Sequence, residues 1–130
     1  MRSLFISMAA ALLLLTACGR KPEPQLVAAH TARLYYEYLA QGKYKAFVEG
    51  MYFPDSVPDS YIAMHVANAQ SYKQRQDSLH GGIRSVRVVS EKFNAKDSTA
   101  QVYLDFTFGD KSTEQVLVPM VCSRNIWYMK

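Results

Sequence analysis

Hydrophobic and polar positions alternate most cleanly between Thr99 and Phe108. Ala100, Val102, Leu104, Phe106 and Phe108 fall on one parity, and Thr99, Gln101, Tyr103, Asp105 and Thr107 on the other. A period of two predicts a strand with one buried and one wet face, which favours an antiparallel sheet. Phe108-Gly109-Asp110-Lys111 reads as a hairpin turn in which Gly109 supplies a positive φ. The next strand is predicted from Ser112 to Cys122, with Val116, Val118, Met120 and Cys122 inward. Pro119 falls on the opposite parity and cannot donate to a ladder, so an edge or a bulge is expected there. Ser123-Arg124-Asn125 turns the chain, and Ile126 to Met129 closes the sheet with Trp127 and Met129 on one face. Ile83 to Phe93 is the first strand. Val86 and Val88 fit one face and Val89 and Phe93 the other, so a bulge is predicted between them.

Helical spacing fills the chain before Gly81. A first helix is predicted from Pro24 to Gly42, on a stripe of Val27, Thr31, Leu34 and Tyr38 widened by Tyr35 and Leu39. A short second helix from Lys43 to Tyr52 places Tyr44, Phe47, Val48 and Met51 together, and Phe53-Pro54-Asp55 breaks it. The third runs from about Asp59 to Leu79, after a loop with Pro58 and candidate caps, and buries Ile62, Val66 and Ala69. Its stretch from Tyr72 to Ser78 is polar and is expected to project past the core. Gly81-Gly82 ends it. Helices followed by a strand meander give an α+β fold.

Met1 to Ala17 has the character of a targeting segment rather than of structure. Arg2 precedes an apolar stretch, Leu4 to Leu15, that is short for a membrane span of about 20 residues. It ends in Leu15-Thr16-Ala17-Cys18, which resembles the bacterial lipobox. The resemblance implies cleavage before Cys18 and lipidation of Cys18, with acyl chains that anchor the mature chain in a membrane. The expected organisation is a signal peptide over 1–17, a lipidated cysteine and tether over 18–24, and one domain over 25–130. No acidic run follows Cys18, and no Asp stands next to it, so an outer membrane and its periplasmic face are expected. The formal charge of +4 on 130 residues is spread over the chain without a basic, aromatic-interleaved stripe, which argues against a nucleic-acid partner.

Several local features recur in order. Leu39-Ala40-Gln41-Gly42-Lys43-Tyr44 joins two helices, Gly81-Gly82-Ile83 opens the sheet, Thr99-Ala100-Gln101-Val102 starts the second strand, and Asn125-Ile126-Trp127 stands near the end. Together they resemble small envelope lipoproteins of the nuclear transport factor 2-like superfamily, in a group of uncharacterised function. That resemblance implies three N-terminal helices packed in the concavity of a curved four-stranded antiparallel sheet, a cone with a pocket at its open end. His30, Leu34, Val102, Leu104, Phe106, Val118, Met120 and Trp127 are then the candidate pocket lining. The family usually has Gly where this chain has Asn125, a residue that also tolerates positive φ. A homodimer through the sheet is a candidate assembly.

The chemistry-bearing residues point away from catalysis. An isomerase-type site needs a carboxylate base inside the cone opposite a Tyr or a protonated acid. Asp105 lies on the outward parity, and Glu114, which shares parity with Val116 and Val118, is near a strand start. His30 and His65 lack a carboxylate or cysteine at ligand spacing, so no catalytic residue, metal site or cofactor is expected. His80 reads as a helix-end residue, where a cation suits the dipole. With Cys18 lipidated, Cys122 is the remaining cysteine and could react or link chains; its phase with Val118 and Met120 instead suggests a small core residue. Of the many aromatics, Tyr36 and the corner from Met51 to Phe53 are the candidate exposed contacts. The expected function is a membrane-anchored, non-enzymatic domain that binds a protein or a small apolar ligand in the envelope, through the concave sheet face and the helix-capped mouth. The alternatives are an isomerase or dehydratase acting in the cone, and a structural or immunity-type protein acting through its surface.

Overall fold

The computed structural model describes residues 27–130. The targeting segment, Cys18, the tether and the expected helix start at Pro24 lie outside them. In chain order the elements are α1 (Val27–Ala40), α2 (Tyr44–Glu49), α3 (Asp59–His80), β1 (Ile83–Asn94), β2 (Thr99–Phe108), β3 (Thr113–Ser123) and β4 (Ile126–Met129). The strands form a curved antiparallel meander in the order β1-β2-β3-β4.

The strict alternation in β2 becomes the core. Ala100, Val102, Leu104, Phe106 and Phe108 are all buried, joined by Val118 and Met120 of β3 and Trp127 and Met129 of β4. Burying each large apolar side chain contributes about 1.5–3 kcal/mol. The bulge expected in β1 is present: the register with β2 shifts between Val88 and Ser90, which throws Val89 outward. Downstream of it, Glu91 and Phe93 share the inward parity. Pro119 sits in an unbroken register with Gln101, so it marks an edge and not a bulge.

The turns deliver two findings. Ser123 pairs with Ile126 across Arg124-Asn125, whose φ values of 53° and 64° make a two-residue turn with both central residues left-handed. At the β2–β3 turn, the positive φ belongs to Lys111 and not to Gly109. Gly109 is needed for space: a Cβ there would strike the carbonyl of Gly81, because the end of α3 docks on this turn through Gly109 N–H to Gly82 O (2.8 Å) and Asp110 N–H to His80 O (2.9 Å).

The helices depart further from expectation. α1 presses Ala28, Ala29, Ala32 and Leu39 into the sheet, with Tyr35 and Tyr36 beside them, and Leu34 is left 46% exposed. Alanines allow the helix axis to approach the sheet closely, so the buried face is one of small residues. Gly42 ends α1 in a Schellman arrangement, with its N–H on Leu39 O and that of Lys43 on Tyr38 O (2.8 Å). α2 stops at Glu49, short of the predicted Tyr52, because Met51 leaves the helix to bridge Met129. α3 starts after Pro58 without a side-chain cap, so the expected capping bond is not made. It buries Ala69 with Ile62 and Val66 half-buried, while Leu79 is exposed.

Candidate binding site

The lengths of β3 and β4 determine where the fold is left open. β4 pairs only with Met120–Ser123, and Lys130 adds one further bond, its N–H to Pro119 O (2.9 Å). Along Thr113–Val118, β3 has β2 on one side and no paired strand on the other among the described residues. The segment after α2 covers β4 instead. Met129 N–H donates to Gly50 O and Tyr52 N–H to Met129 O, both at 2.7 Å. The chain then swings out through Pro54 and Val57 and returns as α3.

Between that loop, the start of α3 and the β3 edge lies a cavity of about 560 Å³. This volume lies in the range of small-molecule sites. Tyr36 and Phe47 line it from the helix side, Leu117, Val118, Pro119 and Met129 from the sheet, and Met51, Tyr52, Phe53, Val57, Tyr61 and His65 from the loop and α3. Tyr36 packs its ring on Phe47 and Phe106 (centroids 5.2 and 5.4 Å). Burial, reinforced by Tyr72, pushes its phenol up to about 12, so it remains an O–H donor. Tyr61 stacks edge-on against His65 at 4.7 Å, and Phe53 lies 5.7 Å from the same ring. The His65 Nε2 atom is shielded from solvent without a hydrogen-bond partner. A smaller cavity of about 210 Å³ shares Tyr36, Phe47, Met51 and His65 with the first. No Asp or Glu lines either one.

The sequence-predicted lining is only partly assembled here. Val118 lines the cavity, but Val102, Leu104, Phe106, Met120 and Trp127 form the core beneath α1. His30 and Leu34 are exposed on α1, which corrects their assignment to a pocket. They fail because the small face of α1, not its large-residue stripe, meets the sheet. The concave face of the sheet is therefore covered by the protein's own helix α1. Tyr36, expected outside, is half-buried against the core and lines the cavity, as the Met51–Phe53 corner also does. His30 and His65 do not share a site. Cys122 is half-buried beside the core, as expected of a small core residue, and it is not a free thiol.

The acids are placed elsewhere. Glu91, which the sequence reading passed over, accepts the N–H of Ala29 in the first turn of α1 at 2.9 Å. The β1 bulge was the available signal, since it moves Glu91 to the inward parity. Burial raises its carboxyl above the ordinary range, opposed by the Ala29 N–H and by His30. Asp105 pairs with Arg87 on the outer face (3.0 Å). Asp110 is held down at about 2 by the Ser112 hydroxyl and N–H and by His80, whose Nδ1 lies 3.0 Å away. Glu114 is exposed and lies within electrostatic range of Tyr72. Among the described residues no three His, Cys, Asp or Glu side chains converge on a point where a metal could sit.

No family model matches this chain, and no curated protein matches it. Among solved structures it is similar to a Campylobacter jejuni protein provisionally named an NTF2-like transpeptidase, solved at 2.00 Å. The two share 15% identity with a TM-score of 0.58, over 77% of this chain and 94% of the other. At that identity the likeness speaks for the fold alone: the chain has an NTF2-like α+β fold, with three helices against a four-stranded sheet.

Proposed function

We propose that this protein is an envelope lipoprotein, anchored through Cys18, whose domain binds an apolar ligand or an apolar segment of a partner in the cavity beside β4. The observation that carries the binding reading is the cavity itself. It gathers half-buried aromatics at an opening where a closed core would have covered them, and it contains no carboxylate. Apolar walls with a few polar residues among them, here the tyrosines, His65 and Lys130, are the usual make-up of a small-ligand site. Native mass spectrometry of the protein after incubation with an extract of its envelope tests it. A discrete adduct that Val57→Trp abolishes is expected. Absence of any adduct, or one indifferent to Val57→Trp, would overturn the reading.

The anchor has its own test. Intact mass of protein taken from membranes should show acyl additions on a chain that begins at Cys18; an unacylated chain would refute the anchor and with it the outer-membrane, periplasm-facing location.

An isomerase or dehydratase reading would run through His65, whose ring packs edge-on against Tyr61 in the cavity. It requires His65 to exchange protons without an acid to orient it. Activity against a candidate substrate that is lost in His65→Gln would support it.

A further inference from the structure

The identity of the occupant can be read from the backbone of β3. In an antiparallel strand the N–H and C=O of one residue point to the same side, and the side alternates along the chain. Ser112 accepts from Phe108 and Cys122 donates to Ser98, so the even residues of β3 face β2. Pro119 accepts from Lys130, so the odd residues face away. Gln115 and Leu117 therefore present both N–H and C=O to the open edge, beside the cavity that Leu117 and Val118 line.

We propose that this edge takes an extended peptide segment as an added strand, with its inward side chains lodged in the cavity. The inference rests on the binding reading above and names its ligand class. A row of regularly spaced, unpaired backbone donors and acceptors is matched by another strand, whereas a compact apolar molecule would leave it wet. The two open edges of the sheet differ in a way that fits. β1 is guarded by register shifts and by Arg84, Arg87 and Lys92. β3 keeps an unbroken register, and Gln115 to Val118 carry no charge. Pro119, which has no N–H, sets one end of the docking stretch. The occupant is a single strand and not a second copy of this chain, because α3 and the loop after Met51 wall the gap and a second domain would bring its own α3 into the same space. Residues opposite Val116 and Val118 point to the cavity, so the preferred segment alternates apolar and polar residues and lacks proline.

The test uses a capped Thr-Val-Thr-Val-Thr-Val-Thr peptide, N-methylated on alternate residues so that one edge alone can pair, against the same peptide N-methylated throughout. The readout is amide NMR of the folded protein. The half-methylated peptide is expected to shift and protect the Gln115 and Leu117 amides, and full methylation should weaken binding about tenfold or more by removing main-chain hydrogen bonds. Gln115→Pro removes an N–H on the open side only, at a residue outside the cavity lining, and should weaken binding of the half-methylated peptide. Equal binding of both peptides, with shifts at Tyr61 and His65, would overturn strand addition and leave the apolar cavity reading standing. Failure of both peptides to bind would overturn strand addition outright, and protection of the two amides by protein concentration alone would make the occupant a second copy.

Discussion

The Glu91 carboxylate accepts the Ala29 N–H at 2.9 Å, so a strand residue caps the first turn of a helix 62 positions away. The N-terminal N–H groups of a helix lack partners within it, and an anion there also meets the positive end of the dipole. Loss of a capping oxygen costs about 1 kcal/mol, and Glu91→Ala should lower stability by that order in urea unfolding. The pH dependence has a definite sign. Burial raises the folded pKa above 4.5, so the stabilising linkage is complete below that value and is lost as pH climbs through the folded pKa. The stability of the wild type relative to Glu91→Gln should therefore fall across that window, and a flat difference would contradict the assignment.

Asp110 predicts the opposite slope at lower pH. Its carboxyl is depressed from 3.8 to about 2, chiefly by the Ser112 hydroxyl and N–H and then by His80. Its contribution is present above 3.8 and lost as pH falls towards 2. NMR titration should give Asp110 a midpoint near the lower value, and Ser112→Ala should move it upward.

Gly50 and Tyr35 make a steric prediction. The Tyr35 hydroxyl donates to the Trp127 carbonyl at 2.7 Å, tying α1 to β4. A Cβ on Gly50 would lie 2.6 Å from the Tyr35 ring. Overpacking of this kind costs about 1–3 kcal/mol, so Gly50→Ala should destabilise by that amount, although alanine favours helix. Tyr35→Phe should cost about 1 kcal/mol through the lost hydrogen bond.

Trp127 is 2% exposed and packs edge-on against Phe93 at 5.8 Å. Trp127→Ala should cost about 3–5 kcal/mol. A loss below about 1 kcal/mol would mean that the β4 phase is wrong.

The sheet was legible because its signal is binary. Alternation in β2 fixed which side chains turn inward, and the conflict between Val88 and Val89 located the bulge. Helix α1 was less legible because large apolar residues dominate a periodicity reading, while the face that meets the sheet is Ala28, Ala29 and Ala32. That error carried His30 and Leu34 into a pocket they do not line and left Tyr36 outside a core it packs against. The cavity could not be placed from periodicity at all. It depends on β4 ending at Met129 opposite the middle of β3, and on the path of the loop after Met51, which are tertiary facts. Gly109 shows the same limit: the sequence demands glycine there, but the reason is the nearby carbonyl of Gly81.

The central claim is that binding occurs in the cavity beside β4, and its methionines offer a direct readout. Met51 and Met129 line that cavity, Met64 is exposed on α3 away from its lining, and Met120 is buried in the core. In methyl NMR of the protein labelled at methionine, titration with dodecanoate and with the half-methylated Thr-Val peptide should shift Met51 and Met129 and leave Met64 and Met120 in place. Unmoved Met51 and Met129, or shifts confined to Met64, would contradict the account.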